Sequence, residues 1–161
     1  MNIQDHVPSL ETCKRRKELN LSQKSLYYWI LDDTTEPRLV LFDEPIYEWE
    51  EDSEFSDKIP SVNSLLEKLG TKEIADDIEI YSAPLASETL DRLPVEIKSN
   101  GNIYFLEATF GYFGIERNYI FTYSWEGKVL RSTIGESLAE AAALMEIYLA
   151  EHNLLPNRGK I

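Results

Sequence analysis

One cysteine, two histidines and two methionines in 161 residues leave little room for several common chemistries. Cys13 has no partner for an internal disulfide, which fits a reducing compartment. A zinc site of sulfur and imidazole would need Cys13, His6 and His152 from opposite ends of the chain plus a carboxylate, so no metal site is assigned. No apolar run reaches the roughly 18 residues of a membrane helix, and MNIQDHVPSL lacks the basic-then-apolar layout of a secretion signal. A cytoplasmic protein without membrane association is expected. Basic residues are also scarce, 16 Lys and Arg against 29 Asp and Glu, for a net charge of -13. Each phosphate contact draws on Lys or Arg, so direct nucleic-acid binding is not expected and the natural attraction is to something basic.

What is present is enough for a core. The chain is 43% hydrophobic and 11% aromatic, and its length is that of one domain, which buries roughly 70% of the unfolded surface. Residues 1–161 are read as a single domain with an acidic loop or insertion at 43–57 and a frayed tail at 157–161.

Ser9 can cap a helix from about Leu10 to Leu19, with Glu11 in its first turn, Leu10 and Cys13 pointing one way and the stems of KRRK (14–17) spread around the rest. LYYWIL (26–31) and RLVLF (38–42) are β-prone and separated by DDTTEP, which predicts a hairpin. IPSVNSLLEKLG predicts a short middle helix, with Ser61 as cap, Val62, Leu65, Leu66 and Leu69 on one face and Gly70 as terminator. Residues 71–93 show only one or two helical turns, at ASETLDRL.

VEIK, IYFLEATF, RNYIFTYSW and VLRS then read as four strands of an antiparallel meander, with Asn100-Gly101 and Glu126-Gly127-Lys128 as tight turns and FGYFG (110–114) as a strand corner. Thr133 with Glu136 has capping-box spacing, and Leu138, Ala141, Ala142, Met145, Tyr148 and Leu149 form one face of a long last helix. The fold class is therefore α+β: an antiparallel meander packed by an N-terminal, a middle and a long C-terminal helix.

The charge is unevenly spread. From Asp43 to Asp57 there are eight acidic residues and no Lys or Arg, which supplies -8 of the -13. Within it, YEWEEDSEFSD sets six carboxylates among Tyr47, Trp49 and Phe55. If Tyr47 to Asp52 is extended, alternation puts Tyr47 and Trp49 on one side and Glu48, Glu50 and Asp52 on the other, about 6.6 Å apart. Eight charges over about 50 Å is one per roughly 6 Å, against about 3.4 Å along a DNA strand, so the segment is a dilute mimic of nucleic acid. It can instead meet a basic protein surface, or solvate a loop while Trp49 and Phe55 pack inward.

The other chemical candidates are thin, and no catalytic residue is assigned. Glu96 and Lys98 have the E-x-K spacing of metal-dependent nucleases, with Asp76, Asp77 or Asp91 to complete it, but any half-exposed strand yields that spacing by chance. Cys13 beside KRRK would be a nucleophile only if its thiol were exposed and acidic, and its place on the apolar stripe argues for a small buried residue. FGYFG lacks the setting of a phosphate loop, and Ser132 and Ser137 lie in no nucleophile elbow. Nine aromatics between Tyr104 and Trp125 crowd one sheet; Tyr119, Phe121 and Tyr123 share a face, with Trp125 continuing it. Any surplus could stack a nucleotide with Arg117 or Arg131. No cofactor is implied.

SLETCKRRKELNLSQKSLYYW, IPSVNSLLEKLG and GESLAEAAALMEIYLAEHNLLP together resemble a group of uncharacterised small α+β proteins encoded by bacteriophages and prophages. Those open with a short helix leading into an aromatic strand, carry a P-x-x-x-x-L-L-x-x-L helix and close with a helix beginning near Thr-Pro-x-x-Ala. Ser9 to Trp29, Pro60 to Leu69 and Thr133 to Leu155 match, while Ile134 replaces the proline and the acidic stretch is inserted. The resemblance implies an accessory protein of a mobile element, of the class that includes inhibitors of host defence, nucleotide sponges and toxin-neutralising immunity proteins. It supplies no catalytic residues.

The combined expectation is a non-catalytic protein that binds a basic surface of a host or toxin protein through Tyr47, Glu48, Trp49, Glu50, Glu51, Asp52, Glu54 and Phe55. The alternatives are a nucleotide-binding sponge, an immunity protein and a metal-dependent nuclease. The oligomeric state is left open.

Overall fold

Helix α1 (Leu10–Glu18) starts where the sequence offers a cap: the Ser9 side chain accepts from the Thr12 N–H, Glu11 sits in the first turn, and Arg15, Arg16 and Lys17 lie in the last. Each suits the helix dipole. Asn20 at φ 53° then turns the chain into the left-handed region and ends it. The computed structural model describes residues 3–31, 36–41, 79–113 and 116–156, with only the backbone described at 113, 116 and 117. The middle helix expected within IPSVNSLLEKLG and the tail at 157–161 lie outside the described residues.

Two antiparallel sheets follow. In the first, β1 (Tyr27–Leu31) is central, flanked by β2 (Arg38–Leu41) and β3 (Glu79–Ser82). The β1–β2 pair is the expected hairpin partnership, with Tyr28 opposite Val40 and Trp29 opposite Leu39. Tyr28, Trp29 and Ile30 are all buried, as a central strand covered on both faces requires. Trp29 packs with Val7, Cys13 and Ala83, and its indole N–H donates to the Pro8 carbonyl at 3.1 Å. Strand β3 is an addition to the sequence reading. Helix α2 (Ala86–Leu90) confirms the short helical stretch read at ASETLDRL.

The second sheet is the expected meander: β4 (Glu96–Ser99), β5 (Asn102–Phe113), β6 (Glu116–Trp125) and β7 (Lys128–Gly135), in that spatial order. Asn100 and Gly101 have φ 50° and 77°, and Glu126 and Gly127 have φ 48° and 79°, the paired positive values of two-residue type I′ hairpin turns. Phe110 to Phe113 of FGYFG continue β5 instead of turning a corner, pairing Phe110 with Tyr119 and Tyr112 with Arg117, and Gly114 lies outside the described residues. Phe110 and Tyr112 end 64% and 69% exposed at this end of the hairpin.

Helix α3 (Leu138–Glu151) covers one face of the meander, and Ile97, Tyr104, Phe121, Tyr123, Ala141, Ala142, Met145 and Leu149 form the main core. Trp125 is 45% exposed, is not among these core residues, and lies against Phe105 with ring centroids 5.3 Å apart. The expected capping box also moves. Thr133 belongs to β7, where its hydroxyl donates to the Ala141 carbonyl at 2.9 Å, and Ser137 caps α3 by accepting from the Glu140 N–H at 3.0 Å. The strand outcompetes the box because Phe121 pairs with Thr133 and Tyr119 with Gly135, so the ladder runs past the would-be cap.

Polar contacts fasten α1 to α3. Glu140 accepts from the Ser9 N–H at 2.7 Å and from the Thr12 hydroxyl, placing a carboxylate at the α1 N-terminus. Farther along, Arg15 pairs with Glu151 at 2.7 Å and Arg16 with Glu146 at 2.6 Å. Arg16 does not spread into solvent with the rest of KRRK, since its side chain is 0% exposed. Glu146 draws it inward from the apolar face of α3, and Arg92 meets the other carboxylate oxygen at 2.9 Å.

Candidate functional site

The residues expected to carry recognition, Tyr47, Glu48, Trp49, Glu50, Glu51, Asp52, Glu54 and Phe55, lie outside the described residues, as do Asp76 and Asp77. Their anchors are described. Strand β2 ends at Leu41, opposite Tyr27, whereas β3 begins at Glu79, opposite Leu31. The anchors therefore sit on opposite edges of the first sheet and at opposite ends of β1.

The described scaffold is close to charge balance. It holds 15 acidic and 11 basic residues, whereas Asp43 to Asp57 holds eight acidic and none basic. Several of the scaffold's cations are engaged internally. Lys14 pairs with Glu11 at 3.4 Å, and Arg15 with Glu18 at 2.8 Å as well as Glu151. Lys17 donates to the Ile80 carbonyl at 3.1 Å and lies 4.8 Å from the Tyr81 ring centre, and Arg131 lies 5.1 Å from that of Tyr148. Exposed pairs of this kind add little stability, but they compensate positive charge where it stands.

Glu96 and Lys98 both lie exposed on the short edge strand β4, with Ile97 buried between them. Among the described residues no three His, Cys, Asp or Glu side chains converge as a metal-binding group. Arg131 lies over the Tyr148 ring, and of Arg117 only the backbone is described.

Cys13 is buried, and its thiol faces the Pro8 carbonyl at 3.7 Å. Burial pushes that thiol up to about 12 despite the opposing pull of Arg16, the reverse of what a nucleophile needs. The stability consequence has a definite sign. The native state holds the neutral thiol while the unfolded thiol ionises near 9, so this contribution is complete below pH 9 and is lost as pH rises from 9 towards 12. Burial likewise raises Tyr123, whose hydroxyl donates to the Pro94 carbonyl, and adds a second loss above about pH 10. Unfolding free energy should be level from pH 7 to 9 and then fall by about 1.4 kcal/mol per pH unit for Cys13 alone. Urea titrations of wild type and Cys13→Ala at pH 8, 9 and 10 check this: the variant should lose the fall between 9 and 10.

One concave feature that the sequence did not disclose runs beside β7. A cavity of about 710 Å³ opens between the N-terminal turn, the end of β7 and the start of α3. Asp5, Glu136 and Glu140 are its charged lining groups, set around Val7, Ile134 and Leu144. A recess of about 270 Å³ continues it along Arg131 to Ile134 and across to Leu144, Ile147 and Tyr148. The two share Ile134 and Leu144 and so form one groove along the β7–α3 seam. Its residues come from three separated parts of the chain, which no local pattern could have joined. Comparison with known families, with curated proteins and with solved structures finds no match to this chain.

Proposed function

We propose that the protein is a non-catalytic accessory protein of a bacteriophage or other mobile element that acts in the cytoplasm. It binds a basic surface of a host or toxin protein through the acidic-aromatic segment around Tyr47, Glu48, Trp49, Glu50, Glu51, Asp52, Glu54 and Phe55, and thereby inhibits a host defence or neutralises the toxin. One observation carries the reading: the described scaffold engages many of its cations internally, whereas the eight acidic residues of Asp43 to Asp57 have no basic neighbour in their segment. A concentrated negative potential of this kind speeds encounter with a basic partner and selects against acidic ones.

Changing Glu48, Glu50, Glu51 and Asp52 together to Gln and Asn is expected to leave the unfolding midpoint unchanged and to abolish capture of a basic partner from host lysate. Capture at the wild-type level would reject the reading.

A second reading, a nucleotide-binding sponge, is favoured by Arg131 stacked on Tyr148 at the wall of the smaller recess. Cyclic and adenine nucleotides at 100 times their dissociation constant should then add about 2.7 kcal/mol of stability. Absence of any thermal shift removes it.

A further inference from the structure

Strand β7 is eight residues long and forms an edge of its sheet, so among the described residues one row of its N–H and C=O groups faces no partner strand. Of the other edges, β4 has four residues and carries Glu96 and Lys98 as well, and among the described residues β2 and β3 also span four each. Short length and charge are the usual guards against added strands. The first part of β7 has such guards in Lys128, Arg131 and an extra residue, Leu130, that breaks the register with β6. From Ser132 to Gly135 there is neither charge nor proline, the register is regular, and Ile134 stays 49% exposed.

The groove lies along this unguarded edge. Arg131, Ser132, Thr133 and Ile134 are consecutive, and successive strand residues point to opposite faces, so a recess lined by all four follows the edge itself. Leu144 and Ile147 of α3 form its apolar wall, and Asp5 and Glu136 make its far end acidic.

We propose that the β7 edge and the adjoining α3 wall take an extended, basic peptide segment of a partner protein as a fifth strand of the meander. Backbone hydrogen bonds to Ser132–Gly135 hold the segment, an apolar side chain covers Ile134 and Leu144, and a lysine or arginine reaches Asp5 and Glu136. Strand addition works in this way generally, with the ladder giving affinity and alternate side chains giving selectivity. The inference rests on the reading of the protein as a partner binder and adds a second contact surface to the acidic segment.

The test uses the full chain and a fluorescent, end-capped eight-residue peptide alternating lysine with valine. Anisotropy titration is expected to saturate, and exchanging every lysine for glutamate should weaken binding at least tenfold. Methylating the backbone nitrogens of one alternate set of residues removes ladder donors and keeps the charge; one set should cost at least tenfold and the other little. Ile134→Arg and Glu136→Lys, both at exposed positions, should weaken binding at an unchanged unfolding midpoint. Equal affinity for both methylated peptides would mean attraction by charge alone and would overturn the proposal, as would failure to saturate. A concentration-dependent dimer that Ile134→Arg dissociates would also overturn it, by assigning the edge to a second copy. The variant neutralised at Glu48, Glu50, Glu51 and Asp52 should keep peptide binding, so failure here and failure of the acidic-segment reading are told apart.

Discussion

Glu146→Ala is expected to destabilise the protein by about 3–5 kcal/mol, a fall of about 2 M in the urea midpoint. The cause is what the substitution leaves behind. Arg16 is 0% exposed, its Nη2 donates to the Ser22 carbonyl at 3.1 Å, and its Nε has no hydrogen-bond partner among the described residues. Burial lowers the Arg16 pKa against the pull of Glu146. Without that carboxylate the guanidinium stays buried with one neutral acceptor, while Arg92, with 11% of its side chain exposed, can turn outward. Desolvation of an unpaired charge is the large term, so the loss should be reversible by removing the charge itself. Arg16→Met combined with Glu146→Leu should recover most of the loss. A double variant as unstable as Glu146→Ala would show that the ion pair is not what matters there.

Gly135→Ala should cost about 1–3 kcal/mol, which for a chain of this length is a drop of roughly 3–10 °C in melting temperature. A Cβ at that position would lie 2.5 Å from the Ala141 nitrogen and 3.0 Å from its Cα, and backbone cannot swing aside as the end of a side chain can. Helix α3 must therefore move away from β7, which loosens the Thr133–Ala141 and Ser9–Glu140 hydrogen bonds together. Gly111 is the internal comparison, because its added Cβ meets nothing within 4 Å. Gly111→Ala should change stability by less than about 0.5 kcal/mol in the same thermal melts. Equal effects at the two glycines would contradict the close approach at Gly135.

The first prediction rests on a contact between positions 130 residues apart and the second on how closely a helix packs on the strand before it, and packing of this kind marks where the sequence stopped being legible. Ser9 announced α1, Asn100-Gly101 and Glu126-Gly127 announced two hairpins, and the spacing from Leu138 to Leu149 announced α3, because each signal is local. Strand β3 was missed because its four described residues, Glu79 to Ser82, carry too little alternation to stand out, and its described pairing is with distant β1. The Thr133–Glu136 box has the right spacing, yet the β6–β7 ladder extends through it. Arg16 reads from the sequence as one of the KRRK stems spread around the helix, because its partner Glu146 is 130 positions away. The acidic segment was visible as composition alone, and its residues lie outside the described structure. The β7–α3 groove was invisible, since Asp5, Ile134 and Leu144 meet only once the sheet and helices have packed.

The claim on which the functional reading turns is that negative charge in one segment, and no bond-making step, is the working part of this molecule. The most direct measurement is the association rate constant with the captured partner as a function of salt, for wild type and for the variant neutralised at Glu48, Glu50, Glu51 and Asp52. Steering predicts a wild-type rate that falls at least tenfold between about 0.05 and 0.5 M salt, and a variant rate that starts low and hardly changes. Matching rates and slopes for the two proteins would contradict it.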